Sequence, residues 1–262
     1  MKKKTLIGSL LLVGGLLAAC GGEEESTDNS VQSDAGKNTY IIATDAKYAP
    51  FSFEEGGVYK GIDVELLAAI AEEEGFEYEL KPMDFSGIIP GIVSGQIDAS
   101  IAGMNITEKR KESVDFSDGY IKAGSSIIVN AATTDVSELD DLQGKTAAVK
   151  KGTTGATFAE ENEEKYELKI SYYDDSPSMK AAVENGNADF MVEDYPVISY
   201  QIAIDAGSKL KIAIPEIADP PQNGFAVKKG ENQELLQQFN DGLAKIQENG
   251  KYDEIIGQYI KE

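Results

Sequence analysis

The chain contains no histidine, one cysteine and one arginine, and each scarcity narrows what it can do. Without histidine it lacks the commonest general base, and without a spare thiol it lacks the commonest sulfur nucleophile. Cys20 has no partner for a disulfide, so whatever folds is held together by its apolar core. No spacing of acids suggests a metal site. Glu23-Glu24-Glu25 sits in a polar tract and Glu72-Glu73-Glu74 marks a solvated helix face, so neither metal nor cofactor is expected. Of the 24 basic residues all are lysine except Arg110. A chain that otherwise uses a compact ammonium keeps one planar guanidinium, the group that grips a carboxylate through two parallel hydrogen bonds. Arg110 is therefore the first candidate for recognising an anion.

The charge balance excludes another class of partner. At a formal net charge of -22 the chain does not hold nucleic acid or anionic lipid by electrostatics. Residues 1–19 read as an export signal: Met1-Lys2-Lys3-Lys4 is cationic, and the apolar, glycine-dotted run after it is too short for the ~20 residues of a membrane span. Leu17-Ala18-Ala19-Cys20 resembles the lipobox of bacterial lipoproteins, which implies cleavage before Cys20 and lipidation of its thiol. Loss of Lys2, Lys3 and Lys4 takes the charge from -22 to -25. Residues 20–38 then form a lipidated cysteine and a flexible acidic tether, because Gly21 to Asn38 holds one branched aliphatic residue, Val31, and cannot bury a core.

From Thr39 onward the pattern is α/β. Thr39 to Thr44 is a short apolar strand, Asp63 stands where it can cap a helix carrying Val64, Leu67, Ala68 and Ala71 and stopping near Gly75, and Tyr78 to Lys81 is a second strand. A weak internal repeat points to two similar lobes. Ile88 to Ser94 runs as a helix into Gly95-Gln96-Ile97-Asp98 and a strand ending at Gly103, and Met179 to Asn185 runs into Gly186-Asn187-Ala188-Asp189 and a strand ending at Asp194. Gly103 and Asp194 thus fall at the carboxyl ends of strands, where open α/β sheets bind ligands. In the second lobe Lys150-Lys151-Gly152-Thr153-Thr154-Gly155 leads into a helix, whose first amides and threonine hydroxyls suit an anion. It is not a nucleotide-binding loop.

These pieces, together with Ala43-Thr44-Asp45 through Pro50-Phe51-Ser52-Phe53, Glu79 to Pro90, Gly103 to Asp118, Glu193-Asp194-Tyr195-Pro196 and Asn249-Gly250-Lys251-Tyr252, resemble the amino-acid-binding (family 3) solute receptors that feed ABC importers, most of all the glutamine-binding members. The resemblance runs from Tyr40 to Ile260. It implies the two-lobed periplasmic-binding-protein-like (type II) fold, each lobe a mainly parallel sheet flanked by helices, joined by two hinge strands near 120–124 and 216–220. Lobe 1 is then 39–122 plus 220–262, and lobe 2 is 123–219. It implies no enzyme activity, and partners limited to a free amino acid and an ABC permease and ATPase complex. The receptor is expected as a monomer on the extracytoplasmic face of the cell membrane, lipid-anchored at Cys20.

Carried over by position, Arg110 clamps the ligand's α-carboxylate, assisted by Thr154, Asp194 pairs with the α-ammonium beside the Gly103 carbonyl and Asn105, and Thr153 is a further expected ligand-binding residue. Tyr48 and Phe85 sandwich the side chain, and Asp45 and Lys150 reach its far end. Asn105 departs from the serine or threonine usual there. Asp194 also stands where a helix cap before Pro196 would, Tyr48 and Phe85 suit a core, and Lys151 competes with Lys150 for the inward position. A carboxamide needs one acceptor and one donor, which an acid beside an amine supplies, so glutamine is the expected ligand. The alternatives are glutamate, asparagine, arginine, histidine or cystine, a dehydratase-like enzyme on the same fold, or an adhesin that has lost ligand binding.

Overall fold

Short apolar runs build two five-stranded sheets in the computed structural model, which describes residues 39–260. The expected signal, Cys20 and the tether lie outside the described residues. The sheet strands are β1 (Tyr40–Thr44), β2 (Tyr78–Pro82), β3 (Ala99–Ser100), β4 (Val114–Phe116), β5 (Ser125–Asn130), β6 (Thr146–Lys150), β7 (Lys169–Tyr173), β8 (Phe190–Asp194), β9 (Leu210–Ile214) and β10 (Ala226–Lys228). The first lobe has the order β2-β1-β3-β10-β4 and the second β7-β6-β8-β5-β9. In each, a central strand, β1 or β6, runs parallel to both neighbours, and the last two strands of the order pair antiparallel. Each sheet is therefore mainly parallel, four of its strands running one way and a single strand, β10 or β5, running against them. Antiparallel pairing enters through β5 and β10, the strands that follow the two crossings between lobes.

The helices are α1 (Ile62–Glu74), α2 (Phe85–Val93), α3 (Glu108–Lys111), α4 (Thr154–Glu161), α5 (Ser176–Glu184), α6 (Tyr195–Ile204), α7 (Gln233–Glu248) and α8 (Lys251–Tyr259). The Gly-x-x-Asp repeat has one physical role in both lobes. Asp98 accepts the Ile41 N–H at 2.7 Å and Asp189 accepts the Thr146 N–H at 2.7 Å, so each acid pins the central strand of its sheet at the strand's start.

The first core is aromatic: Phe51, Phe225 and Phe239 are fully buried, Phe225 stacks on Phe239 at 4.3 Å, and α1 packs Leu66 and Ile70 into the same cluster as Leu243 and Ile246 of α7. At ~1.5–3 kcal/mol for each large side chain buried, such clusters carry much of the fold's stability. The second core is smaller-grained, with Ile127, Val129, Ala147, Val149 and Phe190. Chain crossings between lobes pair antiparallel at Ile121–Lys122 and Gln222–Asn223, so the second crossing lies just beyond the 216–220 expected. Asp63 does not cap α1. Gly61 holds that place, and Asp63 is buried inside the first turn, where it accepts the Gly103 N–H at 2.5 Å and the Tyr120 hydroxyl at 2.7 Å. Among the described residues no helix is long and apolar enough to cross a membrane.

Candidate functional site

The carboxyl ends of the central strands face one another across a single cleft. β1 leads to Asp45 and, through the short hairpin begun by Lys47–Tyr48, to Tyr48; β3 leads to Gly103 and Asn105. From the second lobe, β6 ends on Lys150 and runs into Thr153, the side-chain cap of α4, while β8 ends on Glu193 and Asp194. Phe85 opens α2, and Arg110 lies in α3, whose cap Thr107 accepts the Arg110 N–H at 3.2 Å. One cavity is lined by Tyr48, Phe85, Gly103, Asn105, Arg110, Ser125, Lys150, Thr153, Thr154, Gly155, Val192, Glu193 and Asp194. Of the residues expected there, only Asp45 does not line it. Asp45 stands behind Lys150, its two oxygens taken by the Lys150 ammonium and by the Lys47 N–H at 3.2 Å.

Lys150 settles the competition with its neighbour. It is 2% exposed and reaches across the cleft to Asp45, whereas Lys151 points to solvent and pairs with Asp174 at 2.7 Å. The Lys150 ammonium lies 4.5 Å from the Tyr48 ring centroid and 5.3 Å from that of Phe85, so the two aromatic faces flank a cation. The Arg110 guanidinium also lies 5.3 Å from the Phe85 centroid. It donates to the Asn105 carbonyl at 2.6 Å and to the Gly152 carbonyl at 3.0 Å, which leaves the rest of its five N–H groups for an anion. Burial lowers its pKa to about 10, with Asp194 opposing, so it stays charged.

Asp194 is not a side-chain cap. Its carboxylate accepts the Tyr48 hydroxyl at 2.7 Å from the first lobe and the Ser125 hydroxyl at 3.4 Å, and burial raises its pKa to about 6 against the pull of Tyr48 and Arg110. Tyr48, stacked on Phe51 at 5.6 Å, is thus core and cleft wall at once. The Asn105 amide donates to the Ala123 carbonyl at 3.1 Å and to Asn223 Oδ1 at 2.8 Å, and accepts from Thr154 at 2.8 Å, tying the cleft to the crossing strands. The Thr153 hydroxyl is engaged locally, donating to the Lys150 carbonyl at 2.8 Å and accepting from Ala156 at 3.2 Å.

Two glycines make the close approach possible. Gly103 has φ +57°, and a Cβ there would lie 2.6 Å from a Tyr48 ring carbon. Gly152, at φ +78°, lies against Ser86 of α2 across the cleft, where a Cβ would come within 3.3 Å of the Ser86 Cα. Two polar residues of the lining, Ser125 and Glu193, were not among the expected site residues, and Asp63, read as a helix cap, instead braces Gly103. A signal for Glu193 existed, since two adjacent acids ending an apolar strand place one of them inside. Among the described residues no cluster of histidine, cysteine or acid is arranged to hold a metal.

What the arrangement does chemically is present a fixed positive fork, a fixed carboxylate and two aromatic faces to one small enclosed space. Residues 40–262 match the model of the bacterial extracellular solute-binding proteins, family 3. The arginine-binding extracellular protein ArtP of Bacillus subtilis (strain 168) is 30% identical over 256 residues, covering 97% of this chain and 96% of that protein. An ancestral arginine-binding protein bound to arginine superposes with a TM-score of 0.81 at 35% identity, covering 86% of this chain and 99% of that one. An ancestral arginine-binding protein bound to glutamine does so with a TM-score of 0.80 at 36% identity, covering 87% and 100%.

Proposed function

The chain belongs to family 3 of the bacterial extracellular solute-binding proteins, and we propose that this member is a receptor for free glutamine that closes on its ligand and hands it to an ABC importer. At the coarser level it is an extracellular amino-acid-binding protein of the ABC-transporter type, similar to solute-binding transport proteins. The observation that carries the reading is that one cavity is lined together by the sole arginine, by Asp194 and by the rings of Tyr48 and Phe85. A zwitterion needs those three things, and Arg110 and Asp194 reach it from opposite lobes, so binding favours the closed arrangement.

In this reading Arg110 and Thr154 hold the α-carboxylate, with Thr153 holding the α4 start in place, while Asp194, the Gly103 carbonyl and Asn105 hold the α-ammonium. Lys150, steadied by Asp45, donates to the oxygen of the distal carboxamide. The moving bodies are residues 39–122 with 220–262, and residues 123–219. Cys20 carries the lipid that keeps the monomeric receptor at the outer face of the membrane.

Calorimetric titration with glutamine, glutamate, asparagine, arginine, histidine and cystine tests it, with Arg110→Ala as control. Heat with glutamine that disappears in the variant is the expected result. Binding of arginine alone would keep the receptor and discard the distal reading, and silence across the panel would reopen a dehydratase-like role.

A further inference from the structure

The cleft holds more acid than the glutamine reading uses. Among the described residues, several buried side-chain oxygens and nitrogens lack a hydrogen-bond partner, and the one that belongs to a residue lining the cavity is Glu193 Oε2. Glu193 is only 6% exposed. Its Oε1 accepts the Asp194 N–H at 3.1 Å. The Ser176 hydroxyl at the start of α5 faces the carboxyl without making a hydrogen bond of ordinary geometry. The other cleft acids are spoken for: Asp45 by Lys150 and the Lys47 N–H, Asp194 by Tyr48 and Ser125. A buried carboxylate oxygen without a donor is costly, and a ligand that brings one relieves that cost.

We propose that Glu193 is the specificity-determining acid of this cleft: its free oxygen accepts an N–H from the far end of the ligand's side chain, so the receptor admits amino acids ending in a carboxamide or a cationic nitrogen group and refuses those ending in a carboxylate. The proposal rests on the amino-acid-receptor reading and sharpens its distal end. Charge arithmetic points the same way. Glu193 and Asp194 line the cavity with Arg110 and Lys150, and Asp45, paired with Lys150 outside the lining, already offsets one of the two positive charges. The α-carboxylate and α-ammonium of a ligand add nothing to that balance. A distal carboxylate deepens the negative excess, a carboxamide leaves it unchanged while supplying two N–H donors, and a distal cation cancels it.

Glu193 also makes the selection depend on pH. The charged and titratable groups around it are Asp194 on its own strand, Lys150 on the adjacent strand and Tyr48 from the opposite lobe. Burial, then Asp194, raise its pKa to about 7, with Lys150 opposing. Above that pH the carboxylate is an acceptor and the preference for N–H groups is full. Below it the acid carries a proton and becomes an O–H donor, which suits a carbonyl or carboxylate oxygen.

The test is calorimetry with glutamine, arginine and glutamate at pH 8 and pH 5.5 on the wild-type protein and on Glu193→Gln, which keeps the shape and loses the charge. At pH 8 the wild type is expected to bind its best N–H ligand about a hundredfold more tightly than glutamate, and the gap should narrow about tenfold at pH 5.5. In Glu193→Gln the gap should be smaller and the same at both pH values. A variant that keeps both the wild-type gap and its pH slope overturns the assignment, as does a wild type whose gap is independent of pH, a result that stands even if the variant does not fold. Absence of binding by the wild type to all three ligands at both pH values overturns the receptor reading itself, and is told apart because it appears before any substitution.

Discussion

The turn after β3 and the turn after β8 stand at the same place in two sheets of identical strand order, yet one carries Gly103 at φ +57° and the other Asp194 at φ -67°. The first lobe gives up a side chain there so that the Tyr48 ring can lie against the backbone. The second places a carboxylate on the same spot and sends it across to the Tyr48 hydroxyl. The difference teaches how a duplicated architecture is made into a one-ligand site. Topology fixes where the strand ends meet, and residue type divides the work: the guanidinium and both aromatic rings from the first lobe, the ammonium and two buried acids from the second. The second lobe lines the cavity with both charges but no aromatic ring, and the first with the rings and a cation but no acid.

Three experiments press on that division. Lys150→Met removes the second lobe's cation and leaves Asp45 of the first facing the closed interior alone, a loss of about 3–5 kcal/mol for a broken buried pair. Ligand affinity should fall more than a hundredfold, with small-angle scattering showing a more open particle in the presence of ligand. Wild-type affinity would mean that the two lobes recognise the far end of the ligand independently. Gly103→Ala tests the other side. The left-handed backbone costs ~1–2 kcal/mol with a Cβ, and that Cβ meets the Tyr48 ring at 2.6 Å, so the melting temperature and the affinity should both drop. Asp194→Asn, on an ordinary backbone, should instead keep the melting temperature and lose affinity.

The smallest effect concerns pH. Burial raises Asp63 in the first lobe to about 7, and Glu193 and Asp194 in the second to about 7 and about 6. The folded state therefore keeps protons that the unfolded chain has released, and stability of the ligand-free protein falls as pH rises from about 4 to about 7. Exposed acids held low by lysines, such as Asp135 and Asp205, act the other way but are screened by water. The expected outcome is a melting temperature a few degrees higher at pH 5.5 than at pH 8, with part of the difference removed in Asp63→Asn. A melting temperature that climbs with pH over this range would contradict the three raised acids.

Much of this was legible in the chain because it is written locally. The spacing of the Gly-x-x-Asp repeat and the stop of α1 at Gly75 are read from a few neighbouring residues, and the lone Arg110 from composition, although the strand starts that Asp98 and Asp189 pin lie far away in sequence. What stayed hidden depends on distant ones. An acid in the first turn of a helix reads as a cap until the Gly103 N–H arrives from 40 residues downstream, and so Asp63 was misplaced. Asp45 was expected to face the ligand, but the Lys150 ammonium, 105 residues away, lies between it and the cleft. Glu193 was obscured differently: every residue of β8 is buried, so alternation does not say that both of its acids line the cavity. The direction of pairing of β5 and β10 was equally invisible, since it is set by the crossings rather than by the strands.

Those crossings carry a consequence for how the molecule is made. Ile121–Lys122 lies beside Gln222–Asn223, so the second sheet is one uninterrupted stretch of chain that leaves and returns at adjacent points. The first sheet needs β10 between β3 and β4, and its core needs Phe239, Leu243 and Ile246 against Leu66 and Ile70. A chain emerging from its amino end can therefore complete the second lobe while the first still waits for its last third, with β1 and α1 exposed and unpacked in the meantime. During synthesis, the lobe that opens the described chain is thus the last to have all its strands available.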